Sequence, residues 1–231
     1  MNHVLDRPIW SALATRHQAF AQGDGLARRY LPSIVPFAAT AADDPESLRA
    51  LSRLIPPLES AILVQADAIT LPAQLCATST ASLVQMIAER PVRTVSDERV
   101  QRLTQHDATE MLALATVTKP GPFTLEALSL GDFWGVKIEG RLAAMAGERM
   151  KQPGHTELSG VCSHPDFRGR GLGRLLSLFV ANRIMARGEV PYLHAYATNV
   201  AAITLYESIG FRLRSRMNMA VIQGTDQVVS A

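Results

Sequence analysis

Two periods run through this sequence, one of about 3.6 residues and one of two, and they divide it into helices and strands. Leu172, Leu175, Leu176, Phe179, Val180 and Ile184 share one helical face, and Gly188 stands where a cap would end that helix. Ala202, Leu205, Tyr206 and Ile209 form a second face between Asn199, a good N-cap, and Gly210. Pro8, with Asp6 upstream, opens a helix through Trp10, Leu13, His17 and Phe20, and Asp44-Pro45 opens another through Leu48, Leu51 and Leu54. Asp107 caps a helix through Met111 and Leu114. The Lys119-Pro120-Gly121-Pro122 turn then leads into a second short helix.

Strands are predicted at 61–64, 83–87, 100–103, 133–138, 142–148, 156–163 and 192–196, with a hairpin turn at Glu139-Gly140. The segment 83–87 also fits a short helix, and 38–44 reads as an exposed loop. A last strand carries Arg212, Arg214 and Arg216 in alternation, a solvated face. The chain divides near Pro91 into an amino-terminal region, 1–90, and a carboxy-terminal domain, 91–231, whose order after Pro91 is strand, two helices, three strands, helix, strand, helix, strand.

Composition narrows the class. A chain of 231 residues, 47% hydrophobic and 19% charged, buries one large core or two small ones and excludes general disorder. A net charge of +2 gives no case for a nucleic-acid or membrane partner. No apolar run approaches a membrane span, and Asp6 and Arg7 interrupt any signal-peptide core, so a cytoplasmic location is expected. Cys76 and Cys162 suit a reducing compartment.

Chemistry concentrates where the strand ending in Val161, Cys162 and Ser163 becomes a helix. Pro165 stops the strand, and Arg168, Gly169, Arg170, Gly171, Leu172, Gly173 and Arg174 follow. In the first turn of a helix the N–H groups lack partners and the dipole is positive, so glycines there admit an anion and the arginines add charge. A P-loop would need Gly-Lys-Ser/Thr, and a dinucleotide turn a third glycine three residues on; both are missing. What remains, Arg-x-x-Gly-x-Gly at Arg168, Gly171 and Gly173, resembles the acyl-CoA pyrophosphate loop of the GNAT superfamily of N-acetyltransferases.

The segment from Asn199 through Leu205-Tyr206-Glu207 to Gly210-Phe211 is similar to the second signature of that superfamily, in the right order. The resemblance covers about 100–219, and 121–136, 141–150 and 156–165 look like the branch related to glycine N-acyltransferases. It implies an α+β fold, a central mixed sheet flanked by helices, with a divergent amino-terminal half of helices and strands that lacks the coenzyme loop. It implies acetyl-CoA as co-substrate, no metal, and a primary amine acceptor on a small molecule, amino acid or peptide. Longer acyl transfer to an amino acid, or a silent acyl-CoA-binding module, are the alternatives. By this resemblance Val161, Cys162 and Ser163 hold the pantetheine arm through their main chain, 168–174 takes the pyrophosphate, and Asn199 either touches coenzyme or only caps its helix.

An amine is protonated at neutral pH, so a base must take its proton. Glu157 is the first choice: alternation puts Glu157, Ser159, Val161 and Ser163 on one face of the strand that enters the loop, unless a bulge intervenes. His194 is the rival, at the place where some GNAT relatives use a glutamate. Tyr206 matches the family's general acid. Cys162 beside His164 reads as a buried thiol rather than a nucleophile, and His155-x-Glu157 lacks the Pro-Cys-x-x-Cys of a zinc deaminase. Acceptor choice is expected at the turn 119–123, and the amino-terminal region covers the groove, makes a dimer surface or completes the core.

Overall fold

A computed structural model describes residues 3–225. Along them run α1 (Pro8–Ala14), β1 (Ala21–Gly23), β2 (Ala27–Tyr30), β3 (Ala38–Thr40), α2 (Pro45–Leu54), β4 (Ser60–Gln65) and β5 (Leu75–Ile87). Next come β6 (Val100–Leu103), α3 (Ala108–Thr118), β7 (Phe133–Ile138), β8 (Arg141–Gln152) and β9 (His155–Ser163). The chain closes with α4 (Leu172–Met185), β10 (Val190–Tyr196), α5 (Val200–Ser208) and β11 (Arg212–Gly224). Two compact units result. The first takes residues up to Pro32, Pro36–Leu83 and the chain from Ser215; the second takes Ser33–Val35 and Val84–Arg214.

In the first unit, β1, β2 and β3 make an antiparallel sheet, and β4 pairs antiparallel with β11 from Ser60↔Gln223 to Gln65↔Asn218. The Asp44 carboxylate accepts the N–H groups of Glu46 and Ser47 at 2.9 Å, and Pro45 presets the first turn of α2. That helix buries Ala50 and Leu51 into a core with Ala27, Leu63 and Ile222. Two expectations fail here. α1 ends at Ala14, because His17 leaves the helical face to meet the buried Tyr30 hydroxyl at 2.9 Å. The expected loop 38–44 begins as β3, with Ala38 and Thr40 buried, because strand pairing outweighs the weak intrinsic preference of alanine.

In the second unit the sheet runs β6, β7, β8, β9, β10 and the end of β5; the first four are antiparallel neighbours and β9–β10 is parallel. Glu139 and Gly140 both have positive φ, 51° and 77°, which gives the two-residue turn that joins β7 to β8. One core holds Leu172, Leu176, Val180 and Ile184 of α4 with Leu158, and the other holds Met111 and Leu114 of α3 with Cys162. Burying each such side chain contributes about 2 kcal/mol. The second short helix expected after α3 is absent. Lys119 ends α3 at φ 49°, two prolines and Gly121 at φ 128° follow, and only a 3-10 turn forms at Ala127–Ser129.

The bulge allowed for in β9 is present. Gly147 pairs with Ser159 but Met145 with Cys162, so β9 carries one extra residue, and Gly160 absorbs it at φ 64°. Leu158 and Val161 therefore face the α4 core and Cys162 the α3 core. The single face from Glu157 through Val161 to Ser163 is corrected accordingly: alternation holds only as far as Ser159.

Candidate active site

Parallel pairing between β9 and β10 lasts three rungs, His155–Val190, Thr156–Pro191 and Glu157–Tyr192. The strands run on to Ser163 and Tyr196 without pairing to each other, so the main chain of Val161, Cys162 and Ser163 lines a fork in the sheet. The bulge at Gly160 bends β9 at that fork. Beyond Ser163 the strand passes into a 3-10 turn at Pro165–Phe167 and then the glycine loop.

Phe167 anchors this turn in the core, with the guanidinium carbons of Arg141 and Arg170 each 5.3 Å from its ring centre. Gly169 and Gly171 take φ of 76° and 72°, and Gly171 caps α4 without a side chain. A Cβ on either glycine would find no atom within 4 Å. No acceptor is found among the described residues for the N–H groups of Gly169, Arg170, Gly171, Leu172 and Gly173. A Cβ on Gly173 would meet Ser163 Oγ at 3.8 Å and Leu205 at 3.9 Å, so the loop, the end of β9 and α5 converge. Arg168 and Arg174 are exposed, and Arg174 reaches the Ser208 carbonyl at 3.4 Å. Open backbone donors, a positive helix end and flanking arginines fit a pyrophosphate. Asn199 caps α5, its Oδ1 accepting from the Ala202 N–H at 3.1 Å.

Glu157 and His194, the two candidate bases, touch each other. Glu157 is fully buried at the last rung of the β9–β10 ladder. Arg149 of β8 grips it with two bonds, Nε to Oε2 at 2.8 Å and Nη2 to Oε1 at 2.9 Å, and His194 Nδ1 lies 2.8 Å from Oε1. Arg214 Nε donates to Gln85 Oε1, so the amide nitrogen of Gln85 faces His194 Nε2, at 2.9 Å. That order of donors makes Nε2 an acceptor and leaves the ring proton on Nδ1, shared with Glu157. Burial alone would push the Glu157 carboxyl up; the charge and hydrogen bonds of Arg149, with the bond from His194, outweigh it and hold the pKa at about 2.

Tyr206 points from α5 into the core beside Phe211, ring centres 6.0 Å apart. Burial, with the Cys162 thiol as the second influence, raises its phenol pKa. It therefore stays protonated and able to donate. Burial also pushes the Cys162 thiol up to about 11, which removes thiolate chemistry at neutral pH. Among the described residues no group of three or more His, Cys, Asp or Glu side chains could hold a metal, and no helix is long and apolar enough to cross a membrane.

A cleft adjoins the fork on the α3 side, bounded by Ser159 and Gly160 of the bulge, Arg149, and the turn that follows α3. Its apolar wall includes Phe123 and Phe133, packed edge to face at 5.5 Å. Ile34 and Val35 also line it, and Thr124 Oγ1 donates to the Ile34 carbonyl at 2.8 Å.

Sequence reasoning missed Arg149, Gln85 and Arg214. Hairpin counting back from Gly154 does place residue 150 opposite Glu157, which was a usable signal. A register shift between Glu148 and Lys151 then brings Arg149 round to the carboxylate. Arg214, expected on a solvated face, is turned inward onto Gln85.

Comparison with known proteins bears on the family. Residues 135–220 match the model of the FR47-like protein family. The chain is 46% identical over 55 residues to the [ribosomal protein bS18]-alanine N-acetyltransferase of Salmonella typhimurium, a match over 23% of this chain and 37% of that one. It is 33% identical over 112 residues to the N-alpha-acetyltransferase RimI of Mycobacterium tuberculosis, covering 46% of this chain and 70% of RimI. A crystal structure from Novosphingobium aromaticivorans, assigned there to the GNAT acetyltransferases, superposes with a TM-score of 0.92 at 42% identity, over 97% of this chain and 100% of the other. With such a relative matched over its full length, the chain belongs to the GNAT family of acetyltransferases.

Proposed function

We propose that this protein transfers the acetyl group of acetyl-CoA to a primary amine by direct attack in a ternary complex. The observation that carries the reading is the fork between β9 and β10 opening onto the unpaired N–H groups of the glycine loop. An extended arm with alternating N–H and C=O groups pairs with the free edge of β9 at Val161, Cys162 and Ser163, and 168–174 takes its pyrophosphate. Acetyl-CoA supplies the acyl group as an activated thioester.

The chain's own residues move the protons. A carboxyl held at about pKa 2 cannot keep a proton at neutral pH, so Glu157 orients and His194 accepts. Gln85 keeps His194 Nε2 an acceptor at rest; uptake of the amine proton requires that amide to swing aside. Tyr206 gives its proton to the departing sulfur as the new C–N bond replaces the C–S bond. Residues 1–90 are read as a divergent half that carries no coenzyme loop of its own.

The test is release of free thiol from acetyl-CoA with a panel of amines, amino acids and peptides, with benzoyl-CoA as a second donor because of the glycine N-acyltransferase likeness. Turnover with at least one amine is expected. Tight coenzyme binding with no turnover on any acceptor or donor would overturn transfer in favour of a silent binding module.

A further inference from the structure

One strand edge in the first unit lacks the usual protections. The front of β5 is held on one side by β11: Thr225 N–H donates to the Gln74 carbonyl at 2.9 Å, Cys76 Sγ to that of Gln223 at 3.7 Å, and Thr78 Oγ1 to that of Val221 at 3.2 Å. These contacts share one register, so no bulge interrupts the strand between them. The strand on its other side, β10, accompanies only the far end, where Ala88 N–H donates to the Pro191 carbonyl and Gln85 meets His194. Among the described residues, the outer edge of 76–82 therefore has no neighbouring strand. Every residue of this stretch except the half-buried Ala81 is exposed, so both faces meet solvent.

Along an antiparallel edge the main-chain N–H and C=O groups turn alternately inward and outward. Counting on from the bond between Gln74 and Thr225, residues 76 and 78 turn to β11, while Ala77, Ser79 and Ala81 present their groups outward. Natural edges of this kind are blocked by a lysine, a proline, a bulge or a cover. Here the sequence has no charged residue between Asp67 and Glu89 and no proline between Pro72 and Pro91.

The order of side chains says which chain fits. Residues 76–82 read Cys-Ala-Thr-Ser-Thr-Ala-Ser, the same in both directions about Ser79 except for Cys76 against Ser82. In an antiparallel pair of two copies with the two-fold axis at Ser79, Thr78 stands opposite Thr80, Ala77 opposite Ala81 and Ser79 opposite itself. That register joins the outward groups of 77, 79 and 81 to those of 81, 79 and 77, each pair exchanging two main-chain bonds. It also sets the threonines in the closely spaced pairs between them, where their hydroxyls bond across the strands.

We propose that two copies of this chain associate edge to edge through the front of β5, antiparallel about Ser79, as a symmetric dimer. The proposal is independent of the acetyl-transfer reading. A single strand edge buries less than the roughly 1,600 Å² of a standard interface, so the dimer dissociates on dilution.

Sedimentation velocity of the full chain from about 1 to about 500 μM should show the 25.1 kDa monomer giving way to a species of twice that mass. Ser79→Pro removes one outward N–H and leaves the bonds to β11 in place, so it should abolish the dimer while the melting midpoint of dilute protein stays within about 2 °C of wild type. Ser79→Lys and Ser79→Glu each set like charges face to face across the axis and should be monomeric alone. Mixed in equal amounts, these two variants should associate at least about 10-fold more tightly than either does by itself. That mixture keeps the test decisive should Ser79→Pro fail to fold. A wild type that stays monomeric over the whole range would overturn the proposal. So would a dimer that survives Ser79→Pro, or charge variants whose mixture associates no better than each alone.

Discussion

Replacing Glu157 with glutamine keeps the side-chain volume but leaves Arg149, whose side chain is 16% exposed, facing an amide, and His194 Nδ1 with a weaker acceptor. The carboxyl pKa is held at about 2 against an ordinary 4.5. At about 1.4 kcal/mol per pKa unit, that depression corresponds to about 3 kcal/mol of folding stability. Removing one partner of a buried pair costs about 3–5 kcal/mol by mutational experience, so the two routes agree. In a chain of this size the melting temperature should fall by about 6–12 °C. The sign with pH follows from the direction of the shift. Because the folded pKa is depressed, the contribution is complete above about pH 4.5 and is lost as pH falls toward 2. Urea unfolding of wild type and Glu157→Gln at pH 7 and pH 3 should therefore show a gap of about 3 kcal/mol at pH 7 that shrinks to roughly half at pH 3. A gap of the same size at both pH values would refute the claim that an ionised Glu157 is stabilised by Arg149 and His194. So would a variant as stable as wild type at pH 7.

Three further outcomes are expected. Tyr206→Phe should lower kcat about 100-fold with coenzyme affinity intact, measured by steady-state kinetics and calorimetry; unchanged kcat would remove the phenol from the proton path. Gly171→Asp costs the fold only about 1 kcal/mol, since its Cβ meets open space at φ 72°, yet should abolish the thermal shift that saturating CoA gives wild type. A persisting shift would displace the phosphate site. Iodoacetamide at pH 8 should label exposed Cys76 and spare Cys162, whose thiol is held at about 11, until urea is added; prompt double labelling by mass spectrometry would contradict that burial.

Much of the second unit was legible because its signals are local. The hairpin at Glu139-Gly140, the cap at Asn199 and the loop-to-helix joint at Gly171 each rest on backbone demands that a few residues state openly. The same holds for Asp44-Pro45 in the first unit. β1, β2 and the front of β5 were not legible. Ala-Gln-Gly, an Arg-Arg pair and Cys-Ala-Thr-Ser-Thr-Ala-Ser carry no apolar alternation; β1 and β2 are strands because they pair with each other, and the front of β5 because it lies beside β11, far along the chain. The candidate site divides the same way. Its loop and its tyrosine are motif residues, whereas the bonds from Arg149 to Glu157 and from Arg214 to Gln85 depend on a register shift and on strands 129 residues apart.

Phe133 occupies its place because two neighbours lack side chains. A Cβ on Gly147 would collide with its ring, and one on Gly160 would stand 2.8 Å from it. That aromatic wall is therefore a casting of the sheet itself and cannot be resized without recasting two strands. Phe123 sits instead on an irregular turn and Ile34 on a strap. One side of the cleft is a fixed gauge and the other an adjustable jaw, so widening it begins at 34 and 123 and leaves the β7–β9 ladder alone.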